Sequence, residues 1–432
     1  MVSAKIDYMS TPPRPKRVFP NRASVLRGLV LVAFLCFVYT VFRFANPDAP
    51  YFYDYQFRVA KAILHHGELG LREDVSWLNE LVPFENRFYT VFPLGSVVCH
   101  MPLVALQDMR KNEDCPTVVT TAVLAMFIAW FATLLSRRYG DSLPRRALFV
   151  VWLVFGSWAF VNMTMANGWQ IAMTLSLFGQ LGAMVLILHD RSPLLAGVLF
   201  AIAYGNRTEI ILTAPLYMYL MVRYDPFRNR NEGEPGEPFL RRVRRQFGDL
   251  LLFCVFPTVL GLATLWYNNA RFHNPLDFGY ARITYQHLEY WYKYGFWSLQ
   301  AIPLNIRAIL FSSSWDVVRD FPYVKPALKG GSIISASPFL LLLIRPGSRD
   351  IVLRRVSWTA VILLTVALIL HADPGGNQFS YRYEIVSLPW IWLLLLDRRG
   401  GRVSLWEWGL LALGIISNAW ATYTYFWTHY VW

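Results

Sequence analysis

Charge is scarce in this chain. Only 16% of its 432 residues are Asp, Glu, Lys or Arg, while 55% are hydrophobic. A soluble domain of this size needs more polar surface, so that class is excluded and a polytopic membrane protein is implied. Cysteine is scarce as well. Cys36, Cys99, Cys115 and Cys254 lack metal or redox spacing, and two of them lie inside apolar runs. Cys99 and Cys115 alone fall where a disulfide could join them. No repeat of roughly 20 to 50 residues is visible, and no inverted pair of glycine-broken helices, which a transporter assembled from repeats tends to show. A nucleotide-binding glycine loop is missing too. The first 24 residues are basic, and no small-residue cleavage site follows the first apolar run, which is therefore expected to stay as a retained first helix.

What the chain has instead is a series of apolar runs near the ~20 residues that a bilayer requires. They occur at about 25–44, 116–136, 146–165, 169–188, 249–268, 326–344, 356–371 and 404–424, with shorter candidates at 192–205, 209–222 and 385–396. The expectation is an all-α membrane protein of about eleven transmembrane helices, within a range of roughly 10 to 13. The net charge of +13 does not call for nucleic acid, because the arginines sit in short loops beside apolar runs, where membrane topology explains them. With an inside amino terminus and eleven crossings, the inside segments (1–27, 137–146, 189–191, 223–248, 345–355 and 397–402) hold 25 of the 41 basic residues. That bias orients the chain. A basic cytoplasmic segment (1–24) then precedes an amino-terminal transmembrane module (25–222) with an outer loop at 45–115. A charged, Pro/Gly-rich cytoplasmic linker (223–248) leads to a carboxy-terminal module (249–432) with an outer loop at 269–325. The run 93–106 is short and carries a proline near each end, so it reads as a re-entrant or interfacial helix.

Every cluster able to do chemistry falls on the outer side of this topology. Asp48 and Asp54 stand where the chain leaves the first helix, and from Asp54 onward Phe57, Ala60, Ile63 and Leu64 recur at helical spacing, as in an amphipathic helix on the outer surface. A carboxylate at the lipid boundary gains basicity by desolvation and suits a general base for a hydroxyl; the plain alternative is a helix cap. His65, His66 and Glu68 follow, but adjacent histidines point in different directions on a helix and make a poor metal set. The turn at 204–215 puts Arg207 and Glu209 between two short apolar helices, either as a phosphate anchor or as an internal ion pair. At 266–280, Asn268, Asn269, Arg271, His273, Asn274, Asp277 and Tyr280 lie among aromatics, a combination that suits sugar hydroxyls and also membrane-interface belts. A Gly-Gly turn at 375–376 leads into Arg382, Tyr383 and Glu384 and could serve an anion.

The order of these pieces carries a resemblance. It runs from an acidic exit of the first helix through Tyr89-x-x-Phe92-Pro93-x-Gly95 with the later Pro102 to the turn Asn206-Arg207-x-Glu209. Then come Tyr267-Asn268-x-x-Arg271-Phe272-x-x-Pro275-x-x-Phe278-Gly279-Tyr280 and Gly375-Gly376-x-x-Phe379-x-x-Arg382-Tyr383 before a Leu-Pro helix. This resembles the bacterial integral-membrane glycosyltransferases of the GT-C superfamily, in the branch related to the dolichyl-phosphate-mannose protein mannosyltransferases. It covers roughly residues 45–395, most specifically 267–280 and 375–389. The resemblance implies a GT-C fold in the inner (plasma) membrane and transfer of a sugar from a polyprenyl-phosphate donor to an acceptor hydroxyl on a glycan, lipid or protein of the cell envelope. It implies a catalytic acid in the first outer loop, for which Asp54 fits better than Asp48. It also implies Arg207, Arg271 and Arg382 as partners of the leaving phosphate, with Glu209, Asn269, Tyr280, Tyr383 and Glu384 lining the substrate site. No cofactor is demanded; a divalent metal on Asp48 and Asp54 stays open. The adjacent acidic pair of many relatives is missing here, and Val386 stands where a carboxylate is common. A lipid-carrier transporter or flippase, or a lipid-linked glycan polymerase or ligase, would share much of this framework.

Overall fold

The computed structural model describes residues 22–47, 53–139, 142–189, 192–224, 238–283, 288–289, 293, 295–345, 347–373, 375–376, 378–398, 402–428 and 430–431. They form an all-α membrane protein with two short β-hairpins. Five helices are long and apolar enough to cross a bilayer: Val25–Phe44, Thr117–Arg138, Gly168–Leu188, Phe247–Phe272 and Ile351–Leu370. A sixth candidate is the pair Leu143–Gly156 and Ala159–Met165, bent by 44°. The first helix, α1 (Arg22–Phe44), exposes Leu26, Leu29, Val30 and Val32 at more than half of their surface. A row of exposed aliphatic side chains of this length is stable only against lipid.

The segment that follows α1 is a small unit of its own. It contains α2 (Tyr55–His66), a hairpin of β1 (Leu81–Phe84) and β2 (Arg87–Thr90), and α3 (Leu94–Met109). Phe57 and Ala60 of α2 bury against Val97 and Val104 of α3, whereas Leu64 is 48% exposed. The apolar face expected on the membrane surface thus packs mostly on protein. The run 93–106 is one helix despite Pro102. The cysteines, Cys99 and Cys115 among them, are free thiols.

Next come α4 (Thr117–Tyr139) and α5 (Leu143–Val151), which runs on through a π-turn at Trp152–Gly156 and breaks at Ser157 before α6 (Ala159–Met165). The break has a cause on both sides. Ser337 donates to the freed Gly156 carbonyl at 2.7 Å, and Gly414 approaches so closely that a Cβ there would lie 2.7 Å from the same oxygen. α7 (Gly168–Leu188) is almost wholly buried and pairs with α8 (Pro193–Asn206). α8 carries Gly197, Ala201 and Gly205 four residues apart, the small-residue spacing that lets membrane helices approach. A Cβ at Gly197 would lie 2.2 Å from the Phe253 carbonyl, and one at Gly95 would lie 2.4 Å from the Gly205 Cα. α8 is therefore clamped between its neighbours, with Arg207 at its end.

A 3₁₀ turn at Thr208–Thr213 leads into α9 (Ala214–Tyr224), followed by the arginine-rich α10 (Phe239–Arg245) and the long α11 (Phe247–Phe272). The segment after α11 holds α12 (Ile302–Leu310) and a hairpin of β3 (Trp315–Val317) and β4 (Val324–Pro326). The apolar run 326–344 is not one helix. It is α13 (Ile333–Ala336) and a 3₁₀ turn at Pro338–Ile344: Gly330 at φ +73° and Gly331 packed onto the Ser313 carbonyl keep the helix from starting earlier, and the non-helical Ser337 before Pro338 divides it. α14 (Ile351–Leu370), a 3₁₀ turn at Arg382–Ser387, α15 (Leu388–Leu396) and α16 (Leu405–Phe426) complete the bundle. All nine residues of α15 are buried.

The two ends of the bundle differ in chemistry. At one end Arg138 donates to the Leu188 carbonyl and lies over Tyr224, and the Tyr224 hydroxyl bonds Asp350. Asp397 accepts from Ser348 and from the Asp350 amide at 2.7 Å, while Arg145 and Arg398 flank the buried Glu407 at 3.6 and 3.5 Å. At the other end Asn46 reaches the Thr164 carbonyl at 3.0 Å, the Gly168 amide reaches the Tyr53 carbonyl at 2.8 Å, and Trp427 reaches the Ala45 carbonyl at 2.9 Å. The candidate clusters gather at this second end.

Candidate functional site

Residues from five distant stretches meet there: Tyr53 and Tyr55 beside Glu80, Trp169 at the start of α7, the Arg207–Glu209 turn, Tyr280, and the segment His371–Tyr383. The frame is aromatic. Tyr53 and Tyr55 lie 5.0 and 5.6 Å from the Trp169 ring, and the Tyr55 hydroxyl donates to Asn79 at 2.8 Å. His371 and Tyr381 pack 5.9 and 5.8 Å from Tyr383.

Two guanidinium groups share the Tyr383 ring, Arg207 at 5.0 Å and Arg382 at 5.2 Å from its centre. They are in different states. Arg207 is held by Glu209, with Nε and Nη2 at 2.8 and 2.7 Å from one carboxylate oxygen, so the internal ion pair open in the sequence is formed. Arg382 is 6% exposed, donates from Nη1 to the Gly376 carbonyl at 2.9 Å, and lies 5.7 Å over Trp169. Its Nε has no partner, and among the described residues no carboxylate lies within ion-pair distance. A buried arginine without a counter-ion is costly and favours an incoming anion. The turn before it is local work: Asp373 accepts from the Gly375 amide at 2.8 Å, Gly375 takes φ +79°, and Gln378 accepts from the Arg382 amide at 3.2 Å.

Glu80 is the acid that sequence reasoning missed. Its Oε2 accepts from Trp169 Nε1 at 2.7 Å, and burial pushes its carboxyl up to about 7 although the Arg382 charge pulls the other way. Tyr280 is within electrostatic reach of Glu80, Arg207, Tyr383 and Glu209, and its ring packs 5.9 Å from Phe296. Nothing in the local sequence marks Glu80, because its partner is 89 positions away.

The other expected site residues lie elsewhere. Asp54 accepts from Arg58 Nε at 2.7 Å and faces a cavity of about 190 Å³ lined by Lys61, Glu113, Asp114 and Cys115. Burial raises its carboxyl above the ordinary range, with Arg58 opposing. Asp48 lies outside the described residues. Arg271 is 1% exposed and fully engaged: it donates to the Thr90 carbonyl at 2.5 Å and to Asn268 at 2.8 Å, and stacks on Tyr267 at 3.8 Å. It locks α11 onto β2. Asn269 is exposed, and its carbonyl accepts from the His273 amide at 2.9 Å. Glu384 is buried and accepts from Thr365 of α14 at 2.7 Å. Among the described residues no group of three or more His, Cys, Asp or Glu is placed to hold a metal ion.

These features define a membrane-embedded α-helical protein whose aromatic site, with two arginines and the carboxylates of Glu80, Glu209 and Asp373, lies at the end of the bundle opposite its arginine-rich loops. No family model, curated protein or solved structure matches the chain.

Proposed function

We propose that this chain is a glycosyltransferase of the GT-C type that moves a sugar from a polyprenyl-phosphate donor to an acceptor hydroxyl. The observation that carries the proposal is the pair Arg207 and Arg382 on one aromatic ring, with Arg382 buried and lacking a carboxylate partner. A phosphate that gains charge as its sugar departs is what such an anchor stabilises. The surrounding Trp169, Tyr53, Tyr55 and Tyr280 supply the flat faces and hydroxyls that sugars need.

Topology supports the same conclusion. Counting the short segments α8, α9, α13 with its 3₁₀ turn and α15, together with the 22-residue α16, as passes beside the five long helices and the bent pair gives eleven crossings. The arginine-rich end is then cytoplasmic with the amino terminus, and the site faces outward from the inner (plasma) membrane, where lipid-linked sugars replace nucleotide donors. The acceptor is a hydroxyl of a glycan, lipid or protein, and the mechanism inverts at the anomeric carbon through a carboxylate base.

Purified protein in detergent, given a panel of synthetic polyprenyl-phosphate sugars, should transfer or hydrolyse the sugar. Arg382→Ala should weaken polyprenyl-phosphate binding by about 1.5–3 kcal/mol, roughly 10- to 150-fold, as for loss of one charged hydrogen-bond set. Absence of turnover with every donor, together with carrier flipping in liposomes, would replace the transferase by a transporter.

A further inference from the structure

We propose that Glu80 is the general base that takes the proton from the acceptor hydroxyl. This rests on the transferase function proposed above and names a residue for a role that the sequence suggested for Asp54 or Asp48.

The acids around the two arginines are not equivalent. Glu209 is occupied by Arg207 through both Nε and Nη2. Asp373 is spent on its own turn, accepting the Gly375 amide. Glu384 turns away to Thr365 on α14. Asp54 is paired with Arg58 in a different cavity, although its neighbour Tyr55 packs on Trp169. Glu80 differs from Glu209, Asp373 and Asp54 in its partners, and from Glu384, whose Oε2 is also unpartnered but which is 2% exposed, in being only part-buried. One oxygen is oriented by a neutral indole N–H, the other has no partner among the described residues, and no arginine or lysine there lies within ion-pair distance. A carboxylate held by a neutral donor keeps its charge and its basicity, which an arginine partner would reduce.

Trp169 supplies the register between base and phosphate. Its Nε1–H holds Glu80 at 2.7 Å, while its ring carries the Arg382 guanidinium at 5.7 Å. Base and leaving-group anchor are thus referenced to one rigid side chain at the start of α7. The step balances. The acceptor O–H breaks and its proton goes to the open Glu80 oxygen; the acceptor oxygen bonds the anomeric carbon. The bond from that carbon to the phosphate oxygen breaks with its electron pair, so the polyprenyl phosphate leaves with one more negative charge beside Arg382 and Arg207. The charged and titratable groups facing Glu80 are Arg382, Asp373, Tyr55 and Tyr280. The carboxyl at about 7 is ionised in a useful fraction near neutral pH.

The test uses full-length protein in detergent with a polyprenyl-phosphate sugar that the wild type turns over, and compares Glu80→Gln, Glu80→Asp, Trp169→Phe and Asp54→Asn. Wild-type kcat should rise with pH through about 7 to a plateau. Glu80→Gln should lower kcat on the order of 10²- to 10⁴-fold and lose that acid limb, with binding of polyprenyl phosphate itself kept within about twofold. Glu80→Asp should recover part of the rate and the limb. Trp169→Phe removes the N–H that favours the ionised form, so its limb should move to higher pH. This last arm decides the matter if Glu80→Gln fails to fold. A Glu80→Gln enzyme with wild-type rate and pH profile, or a Trp169→Phe limb that stays in place, overturns the assignment while leaving the transferase intact. A wild type that turns over no donor removes both.

Discussion

Gly95 at the start of α3 and Gly205 near the end of α8 touch through main-chain atoms, and the contact joins the α2–α3 unit to the Arg207 turn. A Cβ added at Gly95 would lie 2.4, 2.5 and 2.6 Å from the Gly205 Cα, oxygen and carbonyl carbon. Ordinary carbon contacts are about 3.5–4.0 Å, so α3 and α8 must part by about 1 Å. No side-chain rotation can relieve a clash with backbone. Overpacking costs about 1–3 kcal/mol and occasionally more, and this case belongs at the upper end. Helix propensity returns only about 0.5–1 kcal/mol for Gly to Ala. The same displacement would stretch the 2.7 Å bond from Ser96 to Asn206, the residue before Arg207. Gly95→Ala should therefore lower the thermal unfolding midpoint, followed by intrinsic tryptophan fluorescence in detergent, and weaken polyprenyl-phosphate binding. Gly409→Ala is the control: it is helical with nothing within 4 Å of the added Cβ, and should be neutral or stabilising. A Gly95→Ala protein as stable as Gly409→Ala would refute the close approach.

Two further outcomes follow from groups near the site. Arg271→Met strips donors from the Thr90 carbonyl and from Asn268, about 1–3 kcal/mol for each buried group left unpaired, so unfolding should come earlier while polyprenyl-phosphate affinity stays within about twofold. An affinity loss as large as that of Arg382→Ala would move Arg271 into the phosphate site. The Asp54 carboxyl is raised by burial, so the folded protein binds this proton more tightly than the unfolded chain. Its contribution to stability is present at low pH and falls as pH rises from the ordinary value near 3.8 through the raised one. Asp54→Asn removes that fall, and its stability relative to wild type should increase as pH rises above the ordinary value near 3.8. A pH-independent difference between the two proteins would mean that Asp54 titrates normally.

The long apolar runs were legible because lipid imposes a length and a composition on what crosses it. Runs 25–44, 116–136 and 169–188 are each one helix. Run 326–344 was not, since a hydropathy average passes over the breaks that Gly330 and Gly331 introduce. The β1–β2 hairpin turns through Glu85 and Asn86, both at positive φ, without the glycine that usually announces such a turn. The helix beginning at Tyr55 could be read from its spacing, but not that Asp54 would face Arg58 while Tyr55 faces Trp169. Arg207, Tyr280, Arg382 and Tyr383 stood out as polar groups beside apolar runs, and the fold brings these four together. Glu80 and Trp169 did not stand out. Their meaning lies in one hydrogen bond between a loop and the distant start of α7, and no spacing rule encodes that.

α15 follows the Arg382–Ser387 turn directly and is buried at every residue, with Trp390 bonded to Gln180 and Trp392 to the Phe149 carbonyl. Its far end is Asp397, gripped by Ser348 and the amides of Arg349 and Asp350. Arg382 is thus tied through roughly 25 Å of rod to the opposite end of the bundle. For the proposed transfer such an anchor is preorganised: the guanidinium does not have to move to meet a phosphate, and little reorganisation energy is spent when the charge on that phosphate grows. In the proposed transferase, product release would then come from the lipid tail and the acceptor rather than from retreat of the arginine.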